Sequence, residues 1–226
     1  MKSFVFNGWA AGYETWELCT FPHDWVFNYV EQLDGLPEKV MAETDEAILV
    51  GFSMGGSTAL RMLLKYPEKV KGLVLVSATP RMMEERRNEG RGMGDEILWK
   101  GMSERRLAAL RMGTRLVFRD DPSPMYDERN MERGLDYLRA TDLRAELEAW
   151  RGREAQAASR AFPVRIFQSE RDGIVRPNNA AFLKSIFPQA KVTMVPGNEH
   201  VLPITVPELI DAAVFDSLKI LGQSLG

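Results

Sequence analysis

Short apolar runs alternate with helical patterns along most of this chain. The clearest runs are AILVGF at residues 47–52 and GLVLVS at residues 72–77, which are continuous enough for strands buried on both faces. Four further runs predict strands, with the second the weakest: residues 3–6, 25–30, 164–168 and 191–195.

Helical patterns fall between these runs and stop at residues that break helices. The patterns cover residues 54–66, which precede Pro67, residues 178–187, which precede Pro188, and residues 207–221, which precede Gly222. Strands that alternate with helices imply βαβ units. The predicted fold class is therefore α/β, with a mostly parallel sheet of about six strands.

The alternation stops between residues 79 and 162, where the chain is rich in Arg, Glu, Met and Leu. This segment is too long for a structureless loop, and it predicts helices with breaks at residues 90–94, 113 and 122–124. We expect one domain over residues 1–226, with a core at residues 1–79 and 161–226 and a helical insertion, or lid, at about 80–160.

Composition narrows the classes of function. The 226 residues are 45% hydrophobic and 27% charged with a net charge of −3, which is ordinary for a globular protein and does not favour a nucleic-acid partner. A single cysteine, Cys19, excludes an internal disulfide and fits a cytoplasmic location. No run approaches the ~18 apolar residues of a membrane span, so we expect no membrane partner.

Candidate chemistry begins with the G-x-S-x-G pattern at residues 51–55. A nucleophilic serine needs a sharp turn between a strand and a helix, and glycines two residues to either side prevent collisions there. Ser53 follows the apolar run 47–52 and precedes a helical pattern, as this turn requires. The alternative interpretation is a glycine-rich turn that is packed closely for structural reasons only.

The chain order of this site type is serine, then an acid, then histidine. Of the two histidines, His200 follows the last predicted strand and fits this order, whereas His23 does not. After residues 164–168, both Asp172 and Glu170 are candidates for the acid, and Asp172-Gly173 suggests a turn that presents the carboxylate. An aspartate that only caps a turn is the structural alternative.

A tetrahedral oxyanion requires two backbone N–H donors. One donor follows the nucleophile and is Met54, and the other comes from the loop after an early strand. Asn7-Gly8-Trp9 follows the first predicted strand, which makes the Trp9 amide the second candidate. The Trp9 indole is then expected to line the pocket or to cover the loop.

With these residues in place, the sequence resembles the α/β-hydrolases, and most closely the pimeloyl-[acyl-carrier protein] methyl ester esterases of biotin synthesis. Asn7-Gly8-Trp9 resembles that family's His-Gly-Trp, and GFSMGG at residues 51–56 resembles its Gly-Trp-Ser-Leu-Gly-Gly. The segment from Gly134 to Arg144 also resembles a stretch of the family. The resemblance implies that Asp172 is the acid, and that the start of the fold is shortened by two antiparallel strands.

The resemblance also implies contacts between the insertion and the substrate. Arg105, Leu107 and Ala108 match a family segment that touches the acyl chain. Between residues 99 and 119 there are six basic residues and one acidic residue, a balance of 6 − 1 = +5. Arg111 and Arg115 are four residues apart within this segment, which predicts either a dock for an acidic carrier protein or a solvated surface.

The sequence therefore predicts a serine carboxylesterase that needs no cofactor and no metal, and that acts as a monomer. Its expected substrate is a small acyl ester, which the resemblance identifies as pimeloyl methyl ester on acyl carrier protein. Alternatives of the same fold are a short-chain carboxylesterase, a thioesterase and a lyase of menaquinone synthesis. A ligand-binding relative without activity is a further alternative, which the presence of all three candidate residues disfavours.

Overall fold

The computed structural model of the chain describes residues 1–82, 128–156 and 162–223. In this part of the chain the strands are β1 (Lys2–Phe6), β2 (Trp25–Phe27), β3 (Ala47–Phe52), β4 (Val70–Val76), β5 (Val164–Ser169) and β6 (Lys191–Val195). They form one sheet in the order β2-β1-β3-β4-β5-β6, and all neighbouring strands within it are parallel. The predicted parallel sheet is confirmed.

Helices of the described residues lie between the strands or follow them. They are α1 (Tyr29–Leu33), α2 (Leu36–Ala42), α3 (Met54–Lys65), α4 (Glu128–Ala140), α5 (Arg144–Gln156), α6 (Asn178–Ile186), α7 (Leu202–Thr205) and α8 (Pro207–Gln223). A short 3₁₀ helix (Tyr13–Trp16) follows β1.

Two apolar clusters cover the two faces of the sheet, because successive side chains of a strand point to opposite faces. On one face, Leu49 and Leu73 pack with residues of α3, α5 and α6. On the other face, Val50 and Val74 pack with Val214 of α8. β3 is buried at every position, which explains its continuous apolar sequence.

Residues 80–81 and 142–143 of the predicted insertion contact each other, and the helix that follows them packs on the core. Arg81 and Asp142 form an isolated antiparallel bridge, and the Leu143 amide donates to the Pro80 carbonyl at 3.0 Å. α5 then packs Leu147 and Trp150 into the core cluster that contains α3 and α6. The division of the chain into a core and a lid stays a prediction.

Five residues predicted to bind substrate lie outside the described residues: Arg105, Leu107, Ala108, Arg111 and Arg115. The predicted helix breaks at residues 90–94, 113 and 122–124 lie outside them as well. Within the described residues, no helix has the length and apolar character needed to cross a membrane.

Candidate active site

The candidate nucleophile lies on a sharp turn between β3 and α3. Ser53 has φ 53° and ψ −118°, so its backbone is in a region that residues with side chains rarely adopt. The glycines around it leave no room for a Cβ: one on Gly51 would lie 2.6 Å from the Gly55 carbonyl oxygen, and one on Gly55 would collide with the Phe6 backbone. Close packing therefore fixes the turn that presents the serine.

His200 bridges the serine and the carboxylate. Its Nε2 lies 3.0 Å from Ser53 Oγ, and its Nδ1 lies 2.8 Å from Asp172 Oδ2. With the proton on Nδ1, the imidazole donates to the carboxylate and accepts from the serine hydroxyl. The other histidine, His23, is exposed and its Nδ1 faces the Phe21 carbonyl, so the structure does not bring it to this site.

Four N–H groups surround the Asp172 carboxylate, which is buried. Oδ1 accepts from the amides of Ile174 at 2.8 Å and Val175 at 3.0 Å. Oδ2 accepts from His200 Nδ1 and, at 3.2 Å, from Gln168 Nε2. Such an arrangement stabilises an ionised carboxylate. Glu170, the other candidate acid, is exposed, and its backbone amide donates to the Val195 carbonyl.

Sequence reasoning missed Gln168 at this site. The residue is 1% exposed and donates to Asp172, to the Val175 carbonyl and, at 3.4 Å, to the Ser169 carbonyl. The signal available in the sequence was an amide side chain near the carboxyl end of β5, four residues before Asp172.

Two buried serines that sequence reasoning also missed hold the backbone that carries the histidine. Ser77, which follows β4 and has φ 45°, donates to the His200 carbonyl at 2.8 Å. Ser169, the last residue of β5, donates to the Glu199 carbonyl. Both side chains belong to fully buried residues, so the position of His200 depends on the ends of two other strands.

The loop after β1 runs past the serine. A Cβ on Gly8 would lie 3.2 Å from Ser53 Cβ, which shows how closely this backbone approaches the turn. Within the described residues, the Trp9 amide donates to no other group. The Met54 amide is the first of α3, and the first amides of a helix lack partners inside it. Both amides are therefore free to bind an oxyanion.

Side chains of this loop are fixed by hydrogen bonds on both sides. Asn7 is fully buried, and its Oδ1 accepts from Trp16 Nε1 at 2.7 Å. Trp9 is partly buried, and its Nε1 donates to the Met131 carbonyl of α4 at 3.1 Å. The Trp9 indole thus contacts α4 directly, which the sequence did not indicate.

An apolar cluster lies beside the loop, where α1 and α4 meet. Its buried members are Ala10, Tyr29, Met54, Met131 and Leu138. Within the described residues, no group of three or more His, Cys, Asp or Glu side chains is placed to hold a metal ion. The chemistry that these residues can offer is a hydroxyl nucleophile, a base and two free amides beside an apolar surface.

Comparison with known proteins agrees with the fold. A family model described as alpha/beta hydrolase fold matches residues 41–104. Among solved structures, an esterase from Exiguobacterium antarcticum has a TM-score of 0.69 at 17% identity, with 97% of this chain and 92% of that chain covered. A thermophilic esterase has a TM-score of 0.64 at 18% identity, with 98% and 90% covered. The fold and the site define a hydrolase of the α/β-hydrolase type.

Curated relatives narrow this class. The pimeloyl-[acyl-carrier protein] methyl ester esterase of Yersinia enterocolitica is 30% identical over 189 residues, which cover 76% of this chain and 69% of that protein. The enzyme of the same name from Edwardsiella ictaluri is 27% identical over 198 residues, with 79% and 72% covered. The chain belongs to the family of pimeloyl-[acyl-carrier protein] methyl ester esterases.

Proposed function

We propose that this chain is a serine carboxylesterase with Ser53 as the nucleophile, His200 as the base and Asp172 as the residue that orients His200. The observation that carries the proposal is the continuous chain of hydrogen bonds from Ser53 Oγ through both ring nitrogens of His200 to Asp172 Oδ2, at 3.0 Å and 2.8 Å. If Asp172 only capped a turn, nothing would require His200 to lie between its carboxylate and Ser53 Oγ, as it does here.

The first half of the reaction forms an acyl-enzyme. Ser53 Oγ attacks the ester carbonyl carbon while His200 Nε2 takes the hydroxyl proton. When the tetrahedral intermediate collapses, the bond from the carbonyl carbon to the alcohol oxygen breaks, and His200 returns its proton to that oxygen. The alcohol leaves, and the acyl group remains on Ser53.

Water completes the reaction by the same steps. His200 Nε2 takes a proton from the water as its oxygen attacks the acyl carbon, and then gives that proton to Ser53 Oγ as the acyl bond breaks. The products are a carboxylic acid and the original serine. Asp172 remains ionised throughout and stabilises the imidazolium that forms twice.

The oxyanion that forms in both halves is proposed to bind the amides of Trp9 and Met54. Support comes from the free Trp9 amide beside the Ser53 turn and from the position of Met54 at the start of α3. The N-terminus of a helix carries a partial positive charge, which favours the developing negative charge. No cofactor takes part in these steps.

As the substrate we propose the methyl ester of a pimeloyl group on acyl carrier protein, as an esterase of biotin synthesis. The names and similarity of the curated relatives support this choice. Hydrolysis would release methanol and leave a free carboxylate at the end of the acyl chain. The expectations of a monomer and of a cytoplasmic location stay predictions.

The test compares wild-type protein with Ser53→Ala on pimeloyl methyl ester and on a panel of p-nitrophenyl esters. We expect the substitution to lower kcat by several orders of magnitude and to abolish labelling by a fluorophosphonate, while the circular dichroism spectrum stays the same. More than a tenth of wild-type activity in Ser53→Ala would refute the nucleophile. A preference for short p-nitrophenyl esters over pimeloyl methyl ester would point to a general carboxylesterase.

For the carrier, we propose that Arg111 and Arg115 bind its acidic surface. Reversing both to Glu should raise KM for the carrier-bound ester at low salt, because charges at the rim of an interface mainly act on the rate of association. The same variant should hydrolyse a small free ester normally. Reversal of Arg151 and Arg153, two exposed arginines of α5, is the matched control. Equal effects of the two reversals would contradict a specific dock.

A further inference from the structure

A glycine in the interior of α4 lies directly under the Trp9 side chain. A Cβ on Gly134 would overlap Trp9 Cδ1 and would lie 2.6 Å from Trp9 Nε1. Glycine disfavours a helix interior relative to alanine, so its presence there calls for a reason. The space that the missing Cβ leaves is filled by the indole, whose Nε1 donates to the carbonyl of Met131, three residues earlier in the same helix.

The helix that carries this surface also contacts two other elements. Arg133 Nη2 lies 2.6 Å from Asp34 Oδ1, just after α1. Farther along α4, the ring of Tyr137 faces the Arg61 guanidinium of α3, with 4.7 Å from Cζ to the ring centroid. Trp9 therefore rests on a helix that contacts other elements on both sides of Gly134, and whose Met131 and Leu138 side chains are buried.

The backbone of the same residue carries the proposed oxyanion donor. Trp9 lies between Gly8, whose backbone passes Ser53 closely, and Ala10, which has φ 56° in the left-handed region. Short loops with such backbone angles persist only where surrounding contacts hold them. The indole, with its hydrogen bond to α4, is the contact that connects the Trp9 backbone to the insertion.

We propose that Gly134 is a positioning residue for the reaction: by leaving room for the Trp9 indole on α4, it sets where the Trp9 amide lies over Ser53. The proposal rests on the esterase function proposed above. It places a determinant of the oxyanion site on the insertion, 125 residues along the chain from Trp9.

The size of the effect follows from the contact. Ordinary contact distances are about 3.5–4.0 Å, so a Cβ now 2.6 Å from Nε1 would push the indole by about 1 Å. The indole transmits part of this shift to the Trp9 amide through Cβ, and a displacement approaching 1 Å in an oxyanion donor lowers kcat by up to about 100-fold. Since the donor acts on the transition state, KM should stay nearly constant. The pH profile should also stay the same, because His200 and Asp172 are untouched.

The experiment uses Gly134→Ala, with Gly152→Ala as its control. Gly152 is an exposed interior residue of α5, and a Cβ there would meet nothing within 4 Å. Gly152→Ala should raise Tm by about 2–4 °C and leave kcat unchanged. Gly134→Ala should have a lower kcat than wild type, whether its Tm rises or falls. In addition, the indole N–H signal that disappears from the NMR spectrum of Trp9→Phe should shift in Gly134→Ala.

A double-mutant cycle tests the path through the indole. Trp9→Ala should lower kcat by itself. Adding Gly134→Ala should then cost far less kcat than it does in the wild-type background, because the new Cβ meets only Tyr29 Cδ2, at 3.3 Å. Additive losses would overturn the proposal. If Gly134→Ala fails to fold, Trp9→Phe, which removes the hydrogen bond to Met131, must lower kcat by about 3- to 10-fold or the proposal fails.

Two kinds of failure are distinguishable. If wild-type protein hydrolyses no ester and resists fluorophosphonate, the esterase function itself is wrong. If wild-type protein is active and Gly134→Ala matches it in kcat and in the NMR signal of Trp9, the function stands and the positioning role of Gly134 is refuted.

Discussion

Asp172→Asn replaces one carboxylate oxygen with an amino group, so that one hydrogen-bond acceptor of the site becomes a donor. The native carboxylate accepts four N–H donors: the amides of Ile174 and Val175 on Oδ1, and His200 Nδ1 and Gln168 Nε2 on Oδ2. An asparagine keeps one oxygen and replaces the other with a donor. Its amino group must therefore face one of these two pairs of donors.

The structure determines which pair it faces. Turned toward Ile174 and Val175, the amino group would leave two backbone donors unpaired, and each costs about 1–3 kcal/mol when buried. Turned toward His200, it faces one fixed donor, Gln168 Nε2, which keeps its bonds to the Val175 and Ser169 carbonyls, and a second donor, Nδ1, which can lose its proton. The imidazole then holds its proton on Nε2, so it donates toward Ser53 and cannot accept the serine proton.

We expect this variant to lose about 10⁴ in kcat, equivalent to about 5.5 kcal/mol of transition-state stabilisation. Hydrolysis of a p-nitrophenyl ester measures the loss, with Ser53→Ala as the floor and circular dichroism as the check on folding. Glu170→Gln is the matched control, because its exposed side chain has no bond to His200. Activity within tenfold of wild type, or a larger loss in Glu170→Gln, would refute the assignment of the acid.

Three further predictions concern single contacts. Ser77→Ala should cost about 1 kcal/mol of stability and several-fold in kcat, because the bond to the His200 carbonyl is lost; an unchanged kcat would contradict it. Gly55→Ala should destabilise by about 3 kcal/mol or more in urea unfolding, because its Cβ would collide with the Phe6 backbone. Burial raises the Cys19 pKa to about 12, so iodoacetamide at pH 8 should alkylate the unfolded but not the native protein.

The bounds of two strands followed from the pattern of apolar residues. The runs at β3 and β6 were predicted with the bounds that the structure has, because continuous or alternating apolar residues end there at serine or proline turns. The order of Ser53, Asp172 and His200 along the chain also placed all three at the carboxyl ends of parallel strands. Strands that run in one direction end at one edge of the sheet, which brings these residues together.

The prediction of a strand at residues 25–30 extended too far. The structure ends β2 at Phe27 and begins α1 at Tyr29, because Asn28 and Glu31 form a capping box. The side chain of Asn28 accepts from the Glu31 amide at 3.0 Å, and the Glu31 side chain accepts from the Asn28 amide at 2.9 Å. This motif was visible as N-x-x-E, but the aromatic and branched residues around it favoured a strand.

Contacts that depend on tertiary packing could not be predicted from the sequence. The hydrogen bond from Gln168 to Asp172 spans four residues, yet it forms only because the chain turns after β5. The contact between Trp9 and Gly134 joins two segments whose proximity no local pattern encodes. A glycine inside a helical pattern can indicate close packing, but Gly134 by itself does not indicate which side chain occupies the space.

The path of the loop that carries His200 explains why the two buried serines are needed. The loop leaves β6, whereas Ser53 follows β3, and the sheet order places β5 and β4 between them. With strands about 4.8 Å apart, the loop must reach across about 14 Å. At the end of β5 the Ser169 hydroxyl donates to the Glu199 carbonyl, and at the end of β4 the Ser77 hydroxyl donates to the next carbonyl, that of His200. A serine at the end of each intervening strand thus binds one residue of the loop. The hydrogen bond from Ser77 to His200 is the second of these, and with it in place His200 Nε2 lies 3.0 Å from Ser53 Oγ.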